Sequence, residues 1–373
     1  MILNLALSFG LNMWNLLQSV KQSKIVSLGI QMSGMITPPF LKPGDKVAIV
    51  ATARKVSEGE INPAIKAFQL WGLQVETGQN LFESENQFAG SDEQRLADFQ
   101  QMLDDPDVKA IICARGGYGT VRIVDQLNFT NFVKNPKWIV GYSDITVLHS
   151  HIHHHFGIET LHATMPLNFP ADGSILPSME SLRKCLFGES PEYHVESGKL
   201  SRKGNAEGQL VGGNLSILYS LAGTTSDIDT EGKILFIEDL DEYLYHIDRM
   251  MMNLKRGGKL DNLAGLLVGG MTQMRDNAVP YGKTAEEIIA DTVKEFKYPV
   301  LFGFPAGHQE ENMPLILGRD VILEVSDQSR LVFKTKRHAS GKRDLKGMIK
   351  PAFYILGFFA LLYLLYDLLL SNL

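Results

Sequence analysis

Short apolar runs, each ending at a glycine or polar turn and leading into a helical stretch, constrain this chain more than any other feature. KVAIVAT follows Pro43-Gly44, and Ile61 to Trp71 then shows helical spacing. VKAIICA (108–114) leads into a glycine-rich turn and a predicted helix through Val121 to Leu127. WIVG (138–141) leads into a predicted helix over Ile145 to Phe156. Strands apolar on both faces, alternating with helices, predict an α/β fold, here a parallel-sheet N-terminal domain over 37–166 with helices on both faces. Residues 167–205 are richer in Pro, Gly, Ser and charge, as a linker would be. A second block, 206–334, carries strand runs at ILFIE, AGLLVGG, VLFGF and VILEV, which predict a smaller mixed α/β C-terminal domain. A chain of 373 residues has room for both cores, and no internal repeat is visible. In sheets of this kind ligands bind beyond the carboxyl ends of the strands.

Net charge of −6 gives no reason to expect a nucleic-acid partner. Cys113 and Cys185 cannot make a disulfide framework and read as reduced, buried small hydrophobes. The two ends differ from the middle. Residues 1–36 form an N-terminal extension whose first basic side chain is Lys21, unlike a secretory signal. Asn4, Ser8, Asn12, Asn15, Gln18 and Ser19 fall on one helical arc, with Leu5, Phe9, Met13, Leu16 and Val20 opposite. An amphipathic helix fits that pattern; a start assigned too early, with Met32 or Met35 as the true first residue, fits equally. At the other end, AFYILGFFALLYLLYDLLL (352–370) has Asp367 as its only charge, long enough for a bilayer core of ~30 Å. A basic linker over 335–350 precedes it, with Lys336, Arg337, Lys342, Arg343, Lys346 and Lys350 opposed by Asp344 alone. This predicts a C-terminal transmembrane helix over 351–371, a tail anchor that holds the rest at the cytoplasmic face of the inner membrane.

Three segments carry candidate chemistry. Ser143 in WIVGYSDIT stands where a strand hands over to a helix, so its hydroxyl would be exposed above the sheet edge beside free helix-start N–H groups. The usual nucleophile elbow has glycine two residues after the serine; here that place is Ile145, and a plain helix cap by Ser143 or Asp144 remains an alternative. The turn Ala114-Arg115-Gly116-Gly117-Tyr118-Gly119 lacks the phosphate-loop Lys-Ser/Thr signature. Backbone donors of Gly116 or Gly117 could instead share a developing oxyanion with the N–H of Asp144. Arg115 could pair with a substrate carboxylate. Glu238 ends the strand ILFI and opens an acidic run, either a solvated loop or the partner that orients a histidine. His308 follows Pro305-Ala306-Gly307 after VLFGF. A histidine cluster, His149, His151, His153, His154, His155 and His162, has no accompanying carboxylate or cysteine ligand pattern, so no functional metal is expected.

RGGYG, then GYSD, then GGNL, then a strand ending in Glu-Asp, then Pro-x-x-Gly-His: in this order the motifs resemble the LD-carboxypeptidase (muramoyltetrapeptide carboxypeptidase) serine peptidase family over residues 36–334. The resemblance implies an α/β N-terminal domain joined to a smaller C-terminal domain with the site between them. It implies Ser143 as nucleophile and Glu238 and His308 as its triad partners. With that triad, the amides of Asp144 and of Gly116 or Gly117 are the candidate oxyanion donors, and Arg115 and Asn214 of GGNL are candidates for holding substrate polar groups. The implied reaction cuts the bond before the terminal D-alanine of a murein tetrapeptide during wall recycling, with no cofactor. A microcin-immunity-type peptidase of the same fold and a non-catalytic, membrane-tethered muropeptide-binding protein are the alternatives. Oligomeric state stays open, a homodimer included. VATARKV departs from the Pro-Ser pairing that many relatives show after the first strand, which bears on substrate detail.

Overall fold

The computed structural model describes residues 35–335. The first sheet takes five parallel strands: β1 (Lys46–Val50), β2 (Gln74–Thr77), β3 (Val108–Cys113), β4 (Trp138–Gly141) and β5 (Thr160–His162). Their spatial order is β5-β4-β3-β1-β2. Alternate side chains serve opposite faces, as a two-residue period dictates. Val47, Ile49, Ala110, Ile112 and Val140 pack with Phe68 of helix α1 (Glu58–Leu70). Ala48, Val50, Ile111 and Ile139 pack with Phe99 of α2 (Asp92–Asp104), Phe132 of α3 (Thr130–Lys134) and Leu148 of α4 (Thr146–Phe156). Helices α1 and α2 start at capping boxes, Ser57 with Glu60 and Ser91 with Gln94.

The second sheet is organised by one long strand. Residues of the expected linker form helix α5 (Pro177–Leu186) and strand β6 (Glu192–Glu196) before β7 (Gly204–Asn214) begins. The first half of β7 pairs antiparallel with β12 (Asp320–Val325), from Gly204 opposite Val325 to Gln209 opposite Asp320. Its second half pairs parallel with β8 (Ile234–Leu240) and ends with Asn214 opposite Glu238. The order is β10-β9-β8-β7-β12-β13-β6, with β9 (Gly265–Thr272), β10 (Val300–Phe302) and β13 (Gln328–Phe333). Helices α6 (Leu215–Leu221), α7 (Leu244–Arg256) and α8 (Ala285–Thr292) cover the parallel part through Leu218, Met250, Leu254 and Ile289.

These findings correct the expected fold class. The fold is mixed α/β with two sheets. The first sheet is not wholly parallel, because β11 (Leu315–Leu317) returns from the second half of the chain and pairs antiparallel with β5. The second sheet is not the smaller one: it has seven strands against six. Residues 167–205 are not a free linker, since Met179, Leu182, Leu186 and Tyr193 are buried in a core cluster that also takes Phe236, Leu267 and Leu301 of the second sheet. Val121 to Leu127 forms two short 3-10 turns rather than a helix; the β-branched Val121, Ile123 and Val124 disfavour a regular one. The expected transmembrane helix over 351–371, with the membrane attachment it implied, finds no support. No helix among the described residues is long and apolar enough to cross a membrane, and that segment lies outside them. The N-terminal extension to residue 34 and the basic linker from 336 also lie outside them.

A buried ion pair ties the two sheets together. Arg319, between β11 and β12, meets Glu159 at the start of β5 with N to O 2.6 Å; both side chains are almost fully buried. Removing one member of such a pair leaves a desolvated charge behind. Arg319→Ala is expected to destabilise the fold by about 3–5 kcal/mol, and the double change Arg319→Met with Glu159→Leu to restore most of that. Urea unfolding followed by circular dichroism measures both. A loss below about 1 kcal/mol, the range of a surface pair, contradicts this role.

Candidate active site

Ser143 starts a 3-10 turn, Ser143–Ile145, that joins the end of β4 directly to α4. Its φ is +63°, in the left-handed region, a conformation that costs a side-chain-bearing residue on the order of 1–3 kcal/mol. The sharp reversal leaves Ser143 half-buried between the buried Tyr142 and Asp144. The glycine-rich turn after β3 comes up against it. A Cβ on residue 116 would stand 2.8 Å from Ser143 Cβ and 3.4 Å from Asp144 N, so only glycine allows this approach. The backbones of Gly116 and Asp144 therefore flank the serine. Gly117, at φ +117°, is exposed beside them.

Glu238 and His308 arrive from the second sheet. Glu238 lies on β8 and is wholly buried. His308 lies on the segment that leaves β10 in the second sheet and enters β11 in the first. Glu238 Oε2 accepts from His308 N at 3.0 Å and pairs with His308 Nδ1 at 2.7 Å. Backbone and ring are thus gripped by one oxygen, leaving Nε2 as the nitrogen that Glu238 does not hold. Gly307 makes this possible: at φ +102° its missing Cβ would stand 2.7 Å from Glu238 Cβ. Burial works against the His308 cation, but the hydrogen bond and charge of Glu238, with Asp239 behind, outweigh it and hold the imidazole above its ordinary value. The His308 ring packs on Tyr142, centroids 4.8 Å apart, which sets the histidine against the turn that carries Ser143. Three segments distant in sequence thus converge on one place.

The remaining expected residues divide. Arg115 is half-buried, with Nη1 donating to Lys55 O at 3.3 Å. Asn214 is more committed than an expected substrate ligand should be. Its Oδ1 caps α6 by accepting from Ile217 N and Ser216 Oγ, and its Nδ2 donates to Asp239 Oδ1 at 2.9 Å. Asp239 is pushed up to about 7, first by burial and then by the neighbouring Glu238 charge. The Asp144 carboxyl is also raised, because burial exceeds the help from the Thr120 and Gly119 backbone and from Arg95. Three members of the histidine cluster are engaged in hydrogen bonds: His149 bonds Gly141 O, His151 bonds Ser226 Oγ and His153 bonds Thr160 Oγ1. Among the described residues no group of three or more His, Cys, Asp or Glu is placed to hold a metal.

Sequence reasoning missed several supports. Asn312 Oδ1 accepts from Gly307 N at 2.8 Å and Thr272 Oγ1 donates to His308 O at 2.5 Å, so the histidine turn is pinned from two sides. No spacing rule would have selected either residue. Tyr142 sits inside the GYSD segment, and its ring is the one signal that was in view.

Two family models match this chain: the LD-carboxypeptidase N-terminal domain over residues 47–163 and the LD-carboxypeptidase C-terminal domain over 207–323. The "Probable murein peptide carboxypeptidase" of Bacillus subtilis is 38% identical over 302 residues, covering 79% of this chain and 93% of its own. The chain belongs to the LD-carboxypeptidase family. It is accordingly a serine-type hydrolase. The murein tetrapeptide carboxypeptidase of Pseudomonas aeruginosa is 28% identical, covering 75% of this chain and 93% of its own. The crystal structure of muramoyltetrapeptide carboxypeptidase from Oxalobacter formigenes superposes with TM-score 0.70 at 28% identity, over 77% of this chain and 98% of that one. The microcin C7 self-immunity protein MccF, complexed with glutamyl sulfamoyl guanosine, shares the fold at TM-score 0.71 and 21% identity, over 80% of this chain and 98% of its own.

Proposed function

We propose that this LD-carboxypeptidase hydrolyses the L,D-amide bond before the terminal D-alanine of murein tetrapeptides, with Ser143, His308 and Glu238 as its catalytic triad. The pairing of buried Glu238 with His308 Nδ1, beside the strained Ser143 turn, carries this reading. Ser143 Oγ attacks the carbonyl carbon and gives its proton to His308 Nε2. The oxyanion that forms is held by backbone N–H groups of Asp144 and of Gly116 or Gly117. His308 then protonates the departing amine of D-alanine as the C–N bond breaks. Water adds to the acyl-enzyme with His308 again as base, and the tripeptide leaves with a free carboxylate. Glu238 keeps the imidazole in the tautomer that presents Nε2 and stabilises the cation that forms. Arg115 is suited to a substrate carboxylate, and Asn214 supports the site through Asp239 rather than by direct contact.

Purified protein incubated with murein tetrapeptide is expected to release one D-alanine and one tripeptide per turnover, read by mass spectrometry. A peptide that carries L-alanine at the fourth place is expected to stay intact. Cleavage of a peptidyl nucleotide but not of tetrapeptide would reassign the substrate to the microcin-immunity type. Binding of tetrapeptide with no product would remove the catalytic reading altogether.

A further inference from the structure

We propose that the Asp144 side chain is a positioning residue that locks the two sides of the oxyanion site to each other. The inference rests on the reading of Ser143 as nucleophile. Asp144 contributes its own N–H on one side of the serine. Asp144 is 1% exposed, and its carboxyl group reaches the base of the glycine-rich turn. There Oδ2 accepts from Thr120 N at 2.8 Å, and Thr120 opens the short 3-10 turn that ends the Ala114–Gly119 segment. Thr120 Oγ1 bonds Thr52 Oγ1 at 2.8 Å, and Thr52 O accepts from Arg95 Nη1 at 2.6 Å. Arg95 is itself 1% exposed and paired with Asp92, which also holds Arg122. Gly119 closes the assembly: a Cβ there would stand 2.9 Å from Ala53 Cα.

The glycine-rich turn is therefore clamped at its far end by a buried chain, Arg95 to Thr52 to Thr120 to Asp144. Asp144 is the member that also belongs to the serine turn. One residue fixes the distance between its own N–H and the N–H groups of Gly116 and Gly117. Stability alone does not explain the choice of an acid here. The second oxygen, Oδ1, is buried with no hydrogen-bond partner among the described residues, which costs free energy that an apolar side chain would not incur. Placement of two donor sets at one oxyanion is a task that tolerates little error, since a shift of about 1 Å can cost about 100-fold in rate.

The test compares Asp144→Ala, Asp144→Asn and Thr52→Val with the wild type. Three quantities are measured on tetrapeptide: kcat, KM and the inhibition constant of a peptide boronic acid, whose adduct with Ser143 carries the same tetrahedral oxyanion. Tripeptide product serves as the ground-state ligand. Asp144→Ala is expected to lower kcat about 100-fold and to weaken the boronate by a similar factor, with KM and product affinity within about threefold. Asp144→Asn keeps an acceptor for Thr120 N and is expected to recover at least about tenfold of that loss. Thr52→Val loosens the chain one bond further back and should lower kcat and boronate affinity together by about three- to tenfold, a readout that survives if Asp144→Ala fails to fold. Equal damage from alanine and asparagine, a loss of kcat without a loss of boronate affinity, or a rise in KM alone overturns the inference. If Ser143→Ala is fully active, the triad reading fails; if Ser143 is essential and the Asp144 variants behave as wild type, only this inference fails.

Discussion

Ser143→Ala is expected to lower kcat for D-alanine release by about 10⁴- to 10⁶-fold while leaving KM within a few fold. The size follows from the role: without the hydroxyl there is no acyl-enzyme, and water must attack a carbonyl that only the backbone donors activate. The residual rate over water then belongs to the oxyanion site and to binding, which this change leaves in place. The strained φ of +63° at residue 143 adds a second readout. Alanine also prefers negative φ, so the strain persists and Ser143→Gly is expected to be the more stable of the two inactive variants. Single-turnover assays with tetrapeptide, and mass spectra of enzyme quenched during turnover, check the loss and the missing acyl adduct. Activity within about tenfold of wild type would remove Ser143 from the reaction.

Glu238→Gln is expected to cost about 10³- to 10⁴-fold in kcat/KM and to move the acidic limb of the pH profile to lower pH. The sign follows from His308. As general base it must be neutral, so the wild type loses activity as pH falls through the His308 value, which is held above its ordinary place. Burial already pushes that value down; the Glu238 hydrogen bond and charge are what push it up. A neutral amide keeps a neighbour in place for Nδ1 but removes the charge, so burial gains and the limb shifts down. The imidazolium formed in each transition state also loses its counter-charge, which is where the rate goes. A pH profile that does not move, or moves upward, would contradict the assignment of Glu238 as the histidine's partner.

Much of this was legible in the chain. VKAIICA, WIVG and ILFIE are short, apolar on both faces and bounded by turns, and each became a central strand. The GYSD and Gly-His segments lie at chain reversals that local chemistry already marks, Ser143 after a glycine-ended strand and His308 after a glycine. Other elements were illegible because their signal is masked or not local. The run Met179 to Tyr193 did carry a local signal, Met179, Leu182 and Leu186 on one helical face and then alternating burial over Glu192–Glu196, but its polar composition masked it. That this face packs into a core shared by both sheets is not local. Strand β11 has three residues, too few for any periodicity to register. Asn214 reads as an open polar side chain until α6 and Asp239 take up its donor and acceptor atoms.

From the sequence alone came the strand-and-helix alternation, the serine turn and the family. These depend on residues close together in the chain, where side-chain size, β-branching and glycine freedom act directly. Tertiary structure alone decided that the chain after β10 crosses back to the first sheet and so carries His308 to Tyr142. It also decided that β7 and β8 run in a register that sets Glu238 beside Asn214, and that the Asp144 carboxyl is spent on Thr120. Those outcomes are set by strand pairing and burial between residues 24 or more positions apart, and no local pattern encodes which distant partner will satisfy a buried charge.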